Sequence, residues 1–439
     1  MTKEDIIKKV GECGVVGAGG GGFPTHIKIS SPVDWVIANG AECEPLLSTD
    51  NYLLNTQPER ILSALKTVKN ITGASNCSLA VKKKHENTVD KLRKLIEKDQ
   101  DVDLFLLRNY YPAGDEVELV YDIAGRRIPA GGIPLDAGVV VLNVNTLYNI
   151  SNAIEKDLPV TRRWITVAGE VENPFMAEVP IGITVGEIID RAVPRIQDYT
   201  IIAGGPMMGM KAERSFSITK KCSGVLVLPP DNACSVKHSV SSDILKKRGA
   251  SVCDQCFDCS IACPRNLLGY DLQPHIMMRN LFMNSSEEPA HVHNALLCSE
   301  CGLCDMYACP LELSPRRMLA QVKEKASPAE IKHMNEIHPE RDFRRIDQDR
   351  LMTRLGLDKY KYDVLSVENI ETRNVRLDLQ QHTGSTAVPV VKKGEKVKLG
   401  QLIGEIPQGE LGARVHASID GIVSDVNPGS VSISVPQGV

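Results

Sequence analysis

Eight of the thirteen cysteines in this 439-residue chain fall into two tight runs, and no other feature restricts its possible folds as strongly. The first run is Cys253-x2-Cys256-x2-Cys259-x3-Cys263-Pro264. The second is Cys298-x2-Cys301-x2-Cys304-x4-Cys309-Pro310, one residue longer in its last gap. Two-residue gaps let successive thiolates converge on the corners of one cubane, and the proline turns the chain away after the last ligand. Thiolates also suit zinc, but structural zinc usually takes two close pairs per site rather than a triplet with a distant Cys-Pro. The spacing favours two [4Fe–4S] clusters over two zinc ions.

In two-cluster ferredoxins the fourth cysteine of each run crosses to the other cluster. That rule assigns Cys253, Cys256, Cys259 and Cys309 to one cluster, and Cys298, Cys301, Cys304 and Cys263 to the other. Asn266 to Asn294 mixes Leu, Met and His in a broadly helical pattern, which suits a helical ferredoxin-like domain over 240–325. His275, His291 and His293 lie in it and read as surface or helix-packing residues once eight thiolates are present. Cys13, Cys43, Cys77, Cys222 and Cys234 follow no ligand spacing and read as inert thiols.

The length allows about three or four domains. A net charge of −4, with 24% charged residues, leaves no dense basic face, so nucleic acid and anionic lipid are not expected partners. The N-terminus, Met1 to Asp5, lacks the basic-then-apolar pattern of a secretory signal. No apolar run approaches the roughly 18 residues that cross a bilayer. A cytoplasmic protein without a membrane span is expected, its clustered thiols holding metal instead of forming disulfides.

Residues 14–28 are a second constraint, with Gly17, Gly19, Gly20, Gly21 and Gly22 crowded before Phe23 and Lys28. Glycines let backbone N–H groups close on an anion, and Lys28 adds a compensating charge; a flexible linker has the same composition. The run is neither a GxxxxGK[ST] loop nor preceded by the strand of a dinucleotide fingerprint. Asp34 to Asn39 reads as a buried strand ending in Glu42 and Glu44, where open α/β sheets bind ligands. Tyr111 to Glu116 and Val139 to Thr146 repeat polar groups just beyond apolar residues.

These segments resemble, in the same order, the FMN- and NADH-binding segments of the complex I flavoprotein subunit. Together with the dicluster insert they resemble the C subunit of the Rnf ferredoxin:NAD oxidoreductase. The likeness is greatest to the cobalamin reductases of propanediol-utilisation microcompartments, the PduS family, and it includes Gly204 to Gly209 and the order of the domains. The resemblance implies that Gly17, Gly19, Gly20, Lys28, Asn39, Glu42, Tyr111, Gly114, Asp115, Asn143 and Thr146 line FMN. It implies that Phe23, Lys28, Glu44 and Glu116 meet NADH. Ala41 and Leu142 depart from it, standing where the complex I flavoprotein has an aspartate and an asparagine.

The expected fold class is multidomain α/β. It comprises an FMN/NADH domain over 1–160, a soluble-ligand-binding β-grasp domain over 161–212 and the dicluster domain over 240–325. A charged helical connector, read as solvated, follows over 326–365. The last module, 366–439, resembles a barrel-sandwich hybrid of the biotinyl/lipoyl type, with Ile419 and Asp420 where an attachment lysine would stand. The implied function is electron transfer from NADH through FMN and two [4Fe–4S] clusters to cobalamin, with no catalytic side chain. It would support a B12-dependent diol dehydratase in a bacterial microcompartment whose shell or adenosyltransferase the protein contacts. The alternatives are an Rnf-like component exchanging electrons with ferredoxin, and a non-catalytic redox wire.

Overall fold

The computed structural model describes residues 1–97, 101–280, 292–324, 326, 331, 334–362 and 365–436. His291 and parts of the Asn266–Asn294 insert and of the 326–365 connector lie outside them.

Thr2 starts helix α1 (Lys3–Glu12) by accepting the Asp5 N–H at 3.2 Å, while the Asp5 carboxylate accepts the Thr2 N–H at 3.0 Å. The glycine loop and the single turn α2 (Thr25–Lys28) lead into β1 (Trp35–Gly40). Next come α3 (Thr49–Thr56), α4 (Pro58–Thr72), β2 (Asn76–Lys82), α5 (Glu86–Ile96) and β3 (Asp103–Leu107). The two-residue β4 (Tyr110–Tyr111), α6 (Glu116–Ala124), β5 (Val139–Asn143) and α7 (Val144–Lys156) complete the unit. Val36, Ile37 and Ala38 are wholly buried, as a strand covered on both faces requires. The sheet is parallel in the order β3-β2-β1-β5, so the chain winds in opposite directions on the two sides of β1. A crevice therefore opens beyond the C-terminal ends of β1 and β5.

A second, mixed sheet carries β6 (Arg162–Gly169), β7 (Phe175–Pro180), β8 (Thr200–Ala203), β9 (Met210–Ala212) and β10 (Gly224–Leu228), with α8 (Val185–Ala192) packed on it. Thr184 caps α8 by accepting the Glu187 N–H. β11 (Ile346–Asp347) pairs with β4, and β12 (Ser366–Glu368) extends the second sheet beside β7. Seven short strands between Asn374 and Ser434 form two small sheets that close the chain as a sandwich. Val375, Leu377, Val423 and Val431 of this sandwich share one core with Val10, Leu65 and Leu147 of the first unit.

The connector is not uniformly solvated. Arg341 donates to Glu118 and, at 2.8 Å, to Asp122, and Arg345 reaches Asp122 at 2.5 and 2.8 Å. Arg341, Gln348 and Leu351 are 6%, 3% and 0% exposed. Charge density predicts solvation only where the charges lack partners, and two carboxylates on α6 supply them here.

Candidate functional site

The glycine loop lies over the crevice. Gly17 N–H donates to Phe23 O at 2.9 Å and Gly22 N–H to Gly17 O at 3.0 Å, closing the loop on itself. Gly20 has φ +109°, a conformation open to glycine. A Cβ at Gly19 would sit 3.4 Å from Asn143, whereas Gly20 and Gly21 face open space. Ala18 N–H donates to Thr146 Oγ1 at 2.9 Å, which ties the loop to the first turn of α7. Asn143 caps that helix through the Asn145 N–H, so the positive end of α7 points into the crevice. Behind the loop, the buried Arg163 holds Ala18 O at 2.8 Å, and its Nη1 has no hydrogen-bond partner among the described residues. Lys28 reaches Val141 O at 2.9 Å and Glu116 at 2.7 Å. Exposed glycines, a helix start and two nearby cations suit the phosphate of a flavin nucleotide.

Asn39 donates to Gly114 O at 2.8 Å, bringing the end of β1 against the start of α6. Glu42 accepts the Asp50 and Asn51 N–H groups at 2.8 and 3.0 Å. Burial beside Asp50 pushes its carboxyl up to about 8. Asp50 accepts from Asn143 at 2.7 Å and from Asn145 at 2.6 Å. Glu44 turns away from the crevice and accepts the Met207 and Met208 N–H groups, both at 2.9 Å. A side chain at Gly205 would collide with that carboxylate, which is why the Gly204–Gly209 turn is glycine-rich there. Ala41 is wholly buried, and Leu142 points into the core while Asn143, the next residue of β5, faces the crevice.

The cysteines divide between two cavities. Cys253, Cys256, Cys259 and Cys309 line one. Cys263, Cys298, Cys301 and Cys304 line the other. The two runs fold alike: φ is positive at Gln255 and Phe257 in the first and at Glu300 and Gly302 in the second, the same two steps after the first cysteine. The extra residue of the second run is taken up by one wide π-helical turn, Cys304–Ala308, where the first run has an α-turn, Asp258–Ile261. Burial pushes the Cys259 and Cys263 thiols up to about 12, so a bound metal must displace their protons and balance the charge. Among the described residues no three His, Cys, Asp or Glu side chains converge closely enough to hold a single metal ion. Four thiolates spread around a cavity fit a cubane better than zinc. His275 packs edge-on to Phe257 at 4.4 Å and meets Ser260 at 2.7 Å.

Tyr111 and Asp115 face the cysteine unit. Tyr111 donates its hydroxyl to Cys301 O at 2.6 Å. Asp115 caps α6 and receives Arg265 at 2.6 and 3.0 Å. Sequence reasoning missed Arg265, Asp50 and Arg163. Only Arg265, directly after Cys263-Pro264, carried a positional signal; the other two are charged residues whose burial no motif announced. Among the described residues no helix is long and apolar enough to cross a membrane.

The Nuo51 FMN-binding domain family matches residues 10–152, the 4Fe-4S dicluster domain family 252–314 and the RnfC barrel sandwich hybrid domain family 359–435. Fold and site thus define a multidomain α/β iron–sulfur flavoprotein, an oxidoreductase with FMN and two [4Fe–4S] clusters as its cofactors. The chain is 37% identical over 436 residues to the cobalamin reductase PduS of Citrobacter freundii, covering 98% of this chain and 96% of that protein. Against the cobalamin reductase PduS of Salmonella typhimurium the identity is 36%, with 99% and 97% covered. The chain belongs to the PduS cobalamin reductase family. It is also 34% identical over 274 residues to the C subunit of the Na(+)-translocating ferredoxin:NAD(+) oxidoreductase complex of Acetobacterium woodii, covering 61% of this chain and 59% of that protein. An NAD+-reducing [NiFe]-hydrogenase structure in the H2-reduced state shares the fold at TM-score 0.52 and 19% identity. The alignment covers 75% of this chain and 64% of that one.

Proposed function

We propose that this chain is an NADH-dependent cobalamin reductase, passing electrons through FMN and two [4Fe–4S] clusters to a corrinoid. The observation that carries the reading is the pair of four-cysteine cavities set against a glycine-lined crevice, in a chain related over nearly its whole length to PduS proteins. When bound, FMN supplies the exchange between two-electron and one-electron chemistry, and the clusters supply one-electron carriage. The chain's own residues bind, orient and exclude water. Gly17, Gly19, Gly20, Lys28, Asn39, Glu42, Gly114, Asn143 and Thr146 are proposed to hold FMN, with Tyr111 and Asp115 at its border with the cysteine unit. Phe23, Lys28 and Glu116 are proposed to meet NADH, with Glu44 acting through the 204–209 turn. The eight cysteines are proposed to hold the clusters in the division that the cavities make.

The family relationship further supports a cytoplasmic protein inside or against a microcompartment, where shell or adenosyltransferase proteins are the proposed partners. Anaerobic purification tests the cofactor set: about eight iron, eight sulfide and one FMN per chain are expected. Zinc without flavin would overturn the reading.

A further inference from the structure

We propose that the two cysteine cavities are used in a fixed order. The cavity of Cys263, Cys298, Cys301 and Cys304 takes electrons from the flavin side, and the cavity of Cys253, Cys256, Cys259 and Cys309 delivers them to the acceptor. The inference rests on the reading of these cavities as cluster sites and adds the direction of flow.

Three independent observations carry it. The flavin unit is bonded to one cavity's wall, by Tyr111 to Cys301 O at 2.6 Å and by Asp115 to Arg265 at 2.6 and 3.0 Å. The apolar residues around Cys263 and Cys298 are continuous with Val117 and Tyr121 of α6, whereas among the described residues those around Cys253 and Cys309 lie between Val240 and Met318. Exposure runs the opposite way: Cys256 is exposed, and Phe257 and Ile261 beside it are 51% and 42% exposed. Each NADH gives up two electrons and leaves as NAD+ with release of one proton. The pair crosses as two single-electron passes, each reducing the inner site and then the outer one, so one two-electron donor reduces a one-electron acceptor twice.

Charge distinguishes the sites as well. Arg265 and Arg316 line the inner cavity, and among the described residues neither lysine nor arginine lines the outer one. A neighbouring cation favours the more negative, reduced cluster, so its loss lowers that cluster's potential. Arg265 is in this account a positioning and tuning residue, with no contact to substrate.

The test is redox-titrated EPR on the holoprotein, wild type and Arg265→Gln, repeated with a soluble dysprosium chelate that broadens signals near the surface. The expected result is that one cluster signal moves to more negative potential in the variant, and that the other, unmoved signal is the one the chelate broadens. Arg265→Lys should recover most of the shift. Tyr111→Phe, a milder change at the same wall, should perturb the same signal as Arg265→Gln and serves if that variant fails to fold. If the shifted signal is also the broadened one, or both signals respond alike, the order is wrong while the cofactor reading stands. An iron-free protein would overturn both.

Discussion

Glu44 accepts the Met207 N–H at 2.9 Å, and through this bond the loop after β1 holds the turn between β8 and β9 of the neighbouring sheet. Burial pushes the Glu44 carboxyl up to about 7, above its ordinary value near 4.5. Between those pH values the folded chain keeps a proton that the unfolded chain has lost. Stability contributed by this group is therefore full below about pH 4.5 and falls as pH rises toward 7. Glu44→Gln should flatten the fall in Tm across that window, measured on the anaerobic holoprotein. It should also lower stability by about 1–2 kcal/mol, because its amide N–H would face a backbone donor. An unchanged slope would contradict the assignment.

Glycine positions separate folding from flavin binding. At Gly205 an added methyl meets the Glu44 carboxylate, so Gly205→Ala should cost about 1–3 kcal/mol in urea unfolding. At Gly21 an added methyl meets nothing within 4 Å among the described residues, and its φ lies outside the positive range. Gly21→Ala should fold and keep its iron while its FMN affinity falls at least about tenfold, about 1.4 kcal/mol, by crowding the cradle. Full FMN occupancy with unchanged affinity would place the flavin elsewhere.

The crossed division of cysteines predicts which iron is lost. Cys263→Ala removes a wall of the cavity built by Cys298, Cys301 and Cys304, although Cys263 belongs to the other run in sequence. Iron should fall from about eight to about four per chain, and the surviving EPR signal should match the one lost in Cys256→Ala. Loss of the same signal in both variants would contradict the crossing.

Lys28 joins the crevice to the carboxylate of Glu116 at 2.7 Å with only 15% of its side chain exposed. Lys28→Met should leave the fold intact and raise the KM for NADH or lower FMN retention by about tenfold, which flavin assays and steady-state kinetics separate. Neither change appearing would remove Lys28 from the site.

Much of this molecule was legible in the sequence because its strongest signals are local. The cysteine spacings announced two clusters, and the buried run Trp35–Gly40 with its trailing carboxylates announced a strand leading into a binding crevice. What was not legible depends on distant parts of the chain. Arg341 reads as solvated until Glu118 and Asp122, more than two hundred residues earlier, are placed against it. Glu44 reads as a crevice residue until the 204–209 turn arrives from the second sheet. The sharing of one core by the first unit and the C-terminal sandwich likewise has no sequence period to reveal it.

Anaerobic stopped-flow absorbance of the holoprotein mixed with NADH and cob(III)alamin follows the electrons from donor to acceptor in one measurement. Flavin bleaching should be followed by corrinoid reduction in proportion to the protein present, lost on removal of FMN. A bleached flavin beside an unchanged corrinoid, with NADH consumed only when ferredoxin is supplied, would contradict electron transfer from NADH to the corrinoid.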